Sequence, residues 1–253
     1  MNKISLVKIW ALSKKNIQLY IKKGPVLIFG LMFPFFMVLS WVLGREISPY
    51  QVFVGIISMT AFFTSTAISP VVLPIETREK SLERLLSAPI SIQNILLGII
   101  IASTLYSLII TSIITLSFTI IFWIPFSSIW AIILLYFGIF LMAILGSLLG
   151  VLVAAKPADM TSEIMLLINL IKFPLVFISG IFIPLGNLPF FSILLSFISP
   201  ITFLTDLSRY CVYGTSYFPF LIDILILMGW IFILFLLNLF FHKKTMPKRL
   251  STS

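Results

Sequence analysis

Few side chains in this sequence could do chemistry, and their spacing excludes more than it allows. There is one cysteine, Cys211, and one histidine, His242, whereas structural zinc, iron–sulfur clusters and disulfide frameworks need several such ligands together. No phosphate-cradling G-x-x-x-x-G-K followed by Ser or Thr occurs, nor a paired-histidine zinc motif or a G-x-S-x-G nucleophile elbow. The reading is of a chain that is not an enzyme and binds no metal or cofactor itself. If ATP powers it, another chain binds the nucleotide.

What remains is a set of ionisable groups in unusual places. The densest runs Glu76-Thr-Arg-Glu-Lys-Ser-Leu-Glu-Arg-Leu-Leu-Ser-Ala-Pro-Ile-Ser91. Glu76, Arg78, Glu79, Lys80, Glu83 and Arg84 alternate in sign, and Leu82, Leu85 and Leu86 recur at helical spacing. The pattern predicts a short amphipathic helix in which Glu79 lies one turn from Glu83 and Lys80 one turn from Arg84, with Pro89 as its stop. A solvated loop that merely orients the chain is the plainer reading, but acids add little to such orientation, and here they balance the bases.

Four more ionisable groups, Lys172, Asp206, Arg209 and Asp223, fall in or beside apolar runs, where charge is costly and functional by default. The Lys172 stem is expected to snorkel to a membrane edge, and Asp223 to sit at the outer end of the last span. A proton or ion relay would need more carboxylates than these. Ser103, Ser107, Thr111, Thr115 and Thr119 form a hydroxyl stripe, and Thr64, Ser65, Thr66 and Ser69 a cluster. Both are expected to bond between packed helices or back to their own carbonyls, without a transport role. Gly146 and Gly150 make a G-x-x-x-G spacing that could serve a dimer face or internal packing.

The elements that must position these residues are membrane helices. Hydrophobic residues make up 60% of the 253 and charged residues 10%, against about half and a quarter in soluble domains. Six apolar runs are long enough to cross a bilayer or nearly so: Val26–Leu43, Val52–Ile75, Ile95–Trp123, Ile129–Ala154, Ile164–Ile183 and Ile222–Phe241. The first is read as a retained span and not a cleaved signal, since no small-residue cleavage site follows it. Between the last two runs, Pro184–Pro219 contains Phe190–Ile198, which is too short to cross and is flanked by Pro189 and Pro200. That segment is expected to be interfacial or re-entrant.

Residues 1–25 carry six lysines and no acid. Leu6, Trp10, Ile17 and Ile21 fall on one side of a helical wheel and Lys8, Lys15 and Lys22 on the other, as an interfacial helix requires. Of the 17 basic residues, fourteen lie on one side of the predicted spans, Arg45 and Arg209 on the other, and Lys172 within a span. The positive-inside rule then puts both ends in the cytoplasm. The formal charge of +9 therefore marks membrane edges and not a nucleic-acid surface.

The expected fold is all-α and polytopic, with six transmembrane helices, N-in and C-in. Residues 1–25 form an interfacial helix, 26–241 the transmembrane domain with a charged segment at 76–91 and a re-entrant segment at 184–219, and 242–253 a basic cytoplasmic tail.

This layout resembles the permease subunits of the type-2 ABC exporter family along essentially the whole chain. The basic N-terminal helix, the E-T-R-E-K-S-L-E-R-L-L-S-A-P-I-S segment, and F-I-S-G-I-F-I-P-L-G-N-L-P followed by S-P-I-T-F-L-T-D-L-S-R carry the resemblance. It implies a permease dimer, here a homodimer, in the plasma membrane, served by cytoplasmic ABC ATPase subunits that hold the ATP and Mg. It also implies that Glu76, Arg78, Glu79, Lys80, Leu82, Glu83, Arg84 and Leu85 form a coupling helix for that ATPase. Gly180, Pro184, Pro189, Pro200 and Arg209 would shape an extracellular gate. An ion-coupled carrier or channel without an ATPase, and a membrane anchor that recruits another protein, are the competing readings.

Overall fold

The computed structural model describes residues 3–87, 90–158 and 160–251, so Pro89 and the extreme ends of the expected terminal segments lie outside it. Among these residues all regular structure is helical: α1 (Lys3–Tyr20), α2 (Gly24–Leu27), a π-helical turn (Ile28–Met32), α3 (Phe33–Val42), α4 (Pro49–Arg78), α5 (Ser81–Ser87), α6 (Ile92–Phe122), α7 (Ile129–Val153), α8 (Thr161–Ile178), a 3-10 turn (Leu185–Asn187), α9 (Phe190–Ser196), α10 (Pro200–Tyr213) and α11 (Phe220–Ser251). Five of these, α4, α6, α7, α8 and α11, are long and apolar enough to cross a membrane. The chain is a multi-pass, all-α membrane protein.

The first expected span is helical from Gly24 to Val42, but not uniformly. Pro34 has no N–H to offer the Gly30 carbonyl, which an α-helix would require. The backbone widens at that point, and the Phe33 N–H bonds five residues back to Ile28 O. Gly30 lets this turn lie close to α4 and α6, since a Cβ there would come within 2.9 Å of Ala67 Cβ.

α4 is the centre of the bundle. Every residue from Phe53 to Glu76 is buried, which fits a helix without a polar face. Glycines of α7 seat it against α4: a Cβ on Gly146 would overlap Ser65 Oγ, and one on Gly150 would overlap Ser69 Oγ. The G-x-x-x-G spacing thus serves internal packing. The hydroxyls also join helices, as expected, with Thr64 Oγ1 donating to Ser107 Oγ at 2.8 Å, Ser103 Oγ to Ser65 O at 2.7 Å and Ser107 Oγ to Ala61 O at 2.9 Å. Thr119 bonds back to Thr115 O, whereas the Thr111 and Thr115 hydroxyls are buried without a partner.

The connections gather at two poles. At one, α1 lies along the start of α6, Ser5 Oγ bonds Asn94 Oδ1, and His242 near the end of α11 donates to Val151 O near the end of α7. At the other, Gln51 Nε2 donates to Phe182 O, Ser127 N to Cys211 O, and the Tyr50 and Tyr213 rings lie 6.1 Å apart. Exposed Trp123, Trp130 and Phe190 ring this second pole, as interfacial aromatics do. α9 and α10 are bent by 104°. The α10 end of that pair is tied to the second pole through Cys211 and Tyr213.

The helix of α11 runs on through the basic tail to Ser251, and His242 at the root of that tail is buried. The charged segment is not one helix. α4 runs on to Arg78, Lys80 takes a left-handed conformation (φ 54°), and α5 starts afresh at Ser81. Glu79 with Glu83, and Lys80 with Arg84, therefore straddle a corner and do not stack along one helix.

Candidate functional site

The first pole is organised by Glu76, whose side chain is buried. Its Oε1 accepts from Lys15 Nζ at 2.5 Å and from the Tyr20 hydroxyl at 2.9 Å, and its Oε2 accepts from Ser81 Oγ. Burial and the neighbouring carboxylate push the Tyr20 pKa up, so the phenol stays a donor. Three elements, α1, α4 and α5, thereby meet on one carboxylate. Leu82 is buried beside them and Leu85 half-buried, whereas Arg78, Glu79, Lys80, Glu83 and Arg84 are exposed. Of the eight residues expected to form the coupling segment, Glu76 and Leu82 are buried within this chain, and the Glu76 carboxylate accepts three hydrogen bonds there.

α1 has a third face that the wheel did not separate. Ile9, Leu12, Ser13, Asn16 and Tyr20 are buried, and Leu12 rests where a Cβ on Gly98 would come within 2.8 Å. Leu6 and Trp10 point outward, as expected of a membrane-facing side. Lys15 departs from expectation and turns toward Glu76.

At the second pole the sequence-selected residues assemble in part. Gly180 adopts φ +71° just after α8, and its carbonyl accepts from Arg209 Nη2 at 2.6 Å. Pro184 precedes the 3-10 turn, Pro189 precedes α9, and Pro200 is the first residue of α10; each supplies a fixed φ at the start of an element. Asp206 accepts from the backbone N–H of Tyr217 at 3.0 Å and Phe218 at 2.8 Å, tying α10 to the entry of α11. Asp223, in the first turn of α11, is fully buried and neither carboxylate oxygen has a partner.

Lys172 does not snorkel. Its side chain is fully buried in α8, and Nζ has no hydrogen-bond partner. The ammonium lies 4.8 Å from the centroid of the Phe63 ring, beside which Phe33 and Phe173 stack at 5.2 and 6.3 Å. A desolvated cation on a ring gains about 2 kcal/mol, which does not offset the several kcal/mol that burial of an ammonium costs.

Residues 7–213 match the ABC-2 type transporter family. The chain belongs to that family. The match runs from α1 through the end of α10 and so takes in both poles, leaving α11 beyond it. The protein is thus an ABC transporter permease component, a part of a membrane transport system, and the family implies an ABC ATPase partner and embedding in the bilayer. Comparison with curated proteins gives no significant match.

Sequence reasoning found the charged segment but missed the Lys15–Glu76–Tyr20 contact, because its members are 61 and 56 residues apart. The one available signal was Glu76 itself, an acid that directly continues the apolar run ending at Ile75.

Proposed function

We propose that this chain is the membrane-spanning subunit of an ATP-driven exporter in the plasma membrane. Two copies and two separate ATPase subunits form the working unit, which moves substrate out of the cytoplasm or between leaflets. Six segments cross the membrane, and the first pole, rich in Lys and Arg, faces the cytoplasm. The observation that carries this reading is the split within the charged segment. Glu76 and Leu82 anchor it inward, while Arg78, Glu79, Lys80, Glu83 and Arg84 stand out as a fixed pattern of both signs. A solvated orienting loop needs no such anchor; a helix that receives force from a soluble partner does.

In this reading the ATPase supplies ATP binding and Mg, and this chain receives its motion. Closure of the ATPases pushes α5, and the Glu76 contact passes the push to α1 and the buried α4. At the second pole, the Arg209–Gly180 bond holds the α9–α10 hairpin against α8 as the outer closure. Co-expression with an ATPase subunit from the same host, and reconstitution of the complex in nanodiscs, tests the reading through ATP hydrolysis. A rate that depends on the permease supports it; an ATPase whose rate is unchanged by this chain contradicts it.

A further inference from the structure

α6 and α11 each pack along α7 and leave a narrow cleft between them near the first pole. The cleft has a volume of about 190 Å3, and its lining includes Gln93 and Ile100 of α6, Leu148 of α7, and Phe235, Asn238 and Leu239 of α11. Sites for drug-sized molecules begin at about 300 Å3, so this one takes a single hydrocarbon chain and not a bulky ligand. It is built with α11, which lies beyond the residues that match the family.

Asn238 supplies the polar part of the wall. It is 4% exposed, and its Nδ2 donates to Leu148 O at 2.9 Å and to Leu234 O at 2.8 Å. Carbonyl oxygens only accept, so these two bonds fix which end of the amide is nitrogen. Oδ1 is left buried without a partner. A leucine would fill the same wall without leaving an acceptor unpaired, and an unpaired buried acceptor is costly.

The mouth of the cleft is basic. Asn238 and, one turn on, His242 bond to carbonyls of α7 and so mark the side of α11 that faces it. At about 100° per residue, Leu239 and Lys243 fall together on the flank where the cleft opens toward α6, whereas Lys244 falls well round the helix from them. Both lysines are exposed. Lys243 lies five residues beyond Asn238, roughly 7.5 Å along the axis, and its flexible four-carbon stem lets the ammonium follow a headgroup. Gln93, in the first turn of α6, stands on the opposite lip.

We propose that this cleft binds a single-chain acidic lipid from the surrounding bilayer, one that carries a hydroxyl between its acid group and its chain. The chain lies along Ile100, Leu148 and Phe235, the hydroxyl donates to Asn238 Oδ1, and the acid pairs with Lys243 at the mouth. Complementarity selects this occupant: bare hydrocarbon leaves Oδ1 unpaired, and a cationic headgroup is repelled by Lys243. Basic pockets between membrane helices take acidic lipid headgroups in this way. The lipid joins α6 to α11, a role that holds whichever way substrate moves and whether or not an ATPase is bound.

The test uses the full chain in uncharged maltoside micelles. Protection against thermal unfolding is followed by tryptophan fluorescence as one of four probes is added: oleoyl lysophosphatidic acid, its analogue lacking only the glycerol hydroxyl, oleoyl lysophosphatidylcholine, or glycerol 3-phosphate. The wild-type chain is expected to need at least ten-fold less of the lysophosphatidic acid than of either other lipid for equal protection, and to show none with glycerol 3-phosphate. Asn238→Leu should abolish the preference for the hydroxyl and keep that for the acid. Lys243→Gln should do the reverse, and Lys244→Gln should behave as wild type. Leu97→Phe, which fills the cleft from the α6 side and leaves the Asn238 bonds intact, should lose protection by the acid altogether. Equal protection by the acid and its deoxy analogue, a hydroxyl preference that survives Asn238→Leu, an acid preference that survives Lys243→Gln or is lost in Lys244→Gln, full protection of Leu97→Phe, or protection by glycerol 3-phosphate would each overturn the proposal.

Discussion

Lys15 on α1 and Glu76 at the end of α4 meet at 2.5 Å across 61 residues of sequence. The contact joins a helix that lies along the start of α6 to the most buried helix of the bundle, at the point where the chain turns into α5. It also divides the charged segment into an inner anchor and an outer face.

Lys15→Met removes the cation from a buried carboxylate. Lys15 is 32% exposed, so the cost should fall below that of breaking a fully buried pair, at about 1–3 kcal/mol. Thermal unfolding in detergent should show it, and Tyr20→Phe should add less in the Lys15→Met background than alone, because the two donors share Oε1. Additive losses would mean that the carboxylate is not a shared hub.

Reversing Glu79 and Glu83 to Lys should leave folding and insertion unchanged, because both side chains are exposed. Binding of the ATPase subunit should nevertheless be lost. Glu76→Lys should do the opposite damage, lowering the unfolding temperature of the chain itself. Normal co-purification of the Glu79/Glu83 variant with its ATPase would remove these residues from the docking face.

Arg209→Ala cuts the bond to the Gly180 carbonyl. Cys211, two residues on, is fully buried and is the single cysteine of the chain, which makes it a native reporter. Loss of a charge-assisted hydrogen bond costs about 1.5–3 kcal/mol, so alkylation of Cys211 by an impermeant maleimide should speed up about ten-fold or more. An unchanged rate would show that the α9–α10 hairpin is held by other contacts.

Gly146→Leu drives a side chain into Ser65 on the central helix. Overpacking of this kind costs about 1–3 kcal/mol, and it should appear as a lower unfolding temperature or as loss of the folded monomer peak in size-exclusion chromatography. A change confined to dimerisation would instead place Gly146 at a subunit interface.

Much of the architecture was legible in the sequence because apolar runs near 20 residues have few alternatives to spanning a bilayer. The second through sixth expected spans correspond to α4, α6, α7, α8 and α11, and the segment between the last two holds the sharply bent pair α9 and α10. The first span was harder, since Pro34 forces a π turn that hydropathy does not register. The corner at Lys80 was missed because the periodicity of Leu82 and Leu85 continues smoothly from α4, while a single left-handed residue carries no pattern. Lys172 was read as snorkelling because sequence gives its distance from a helix end but not the Phe63 ring that receives it. The inner face of α1 mixes Ser13, Asn16 and Tyr20 with Ile9 and Leu12, so its burial against α6 had no apolar stripe to announce it.

If this permease works through a separate ATPase docked on the exposed face of α5, the two should travel together. Affinity purification of the intact chain from its native membranes in mild detergent, with co-purifying proteins identified and quantified, tests this most directly. An ABC ATPase in equal molar amount is the expected result. Recovery of the chain alone, under conditions that keep a known ABC complex together, would contradict it and favour an ion-coupled carrier or channel.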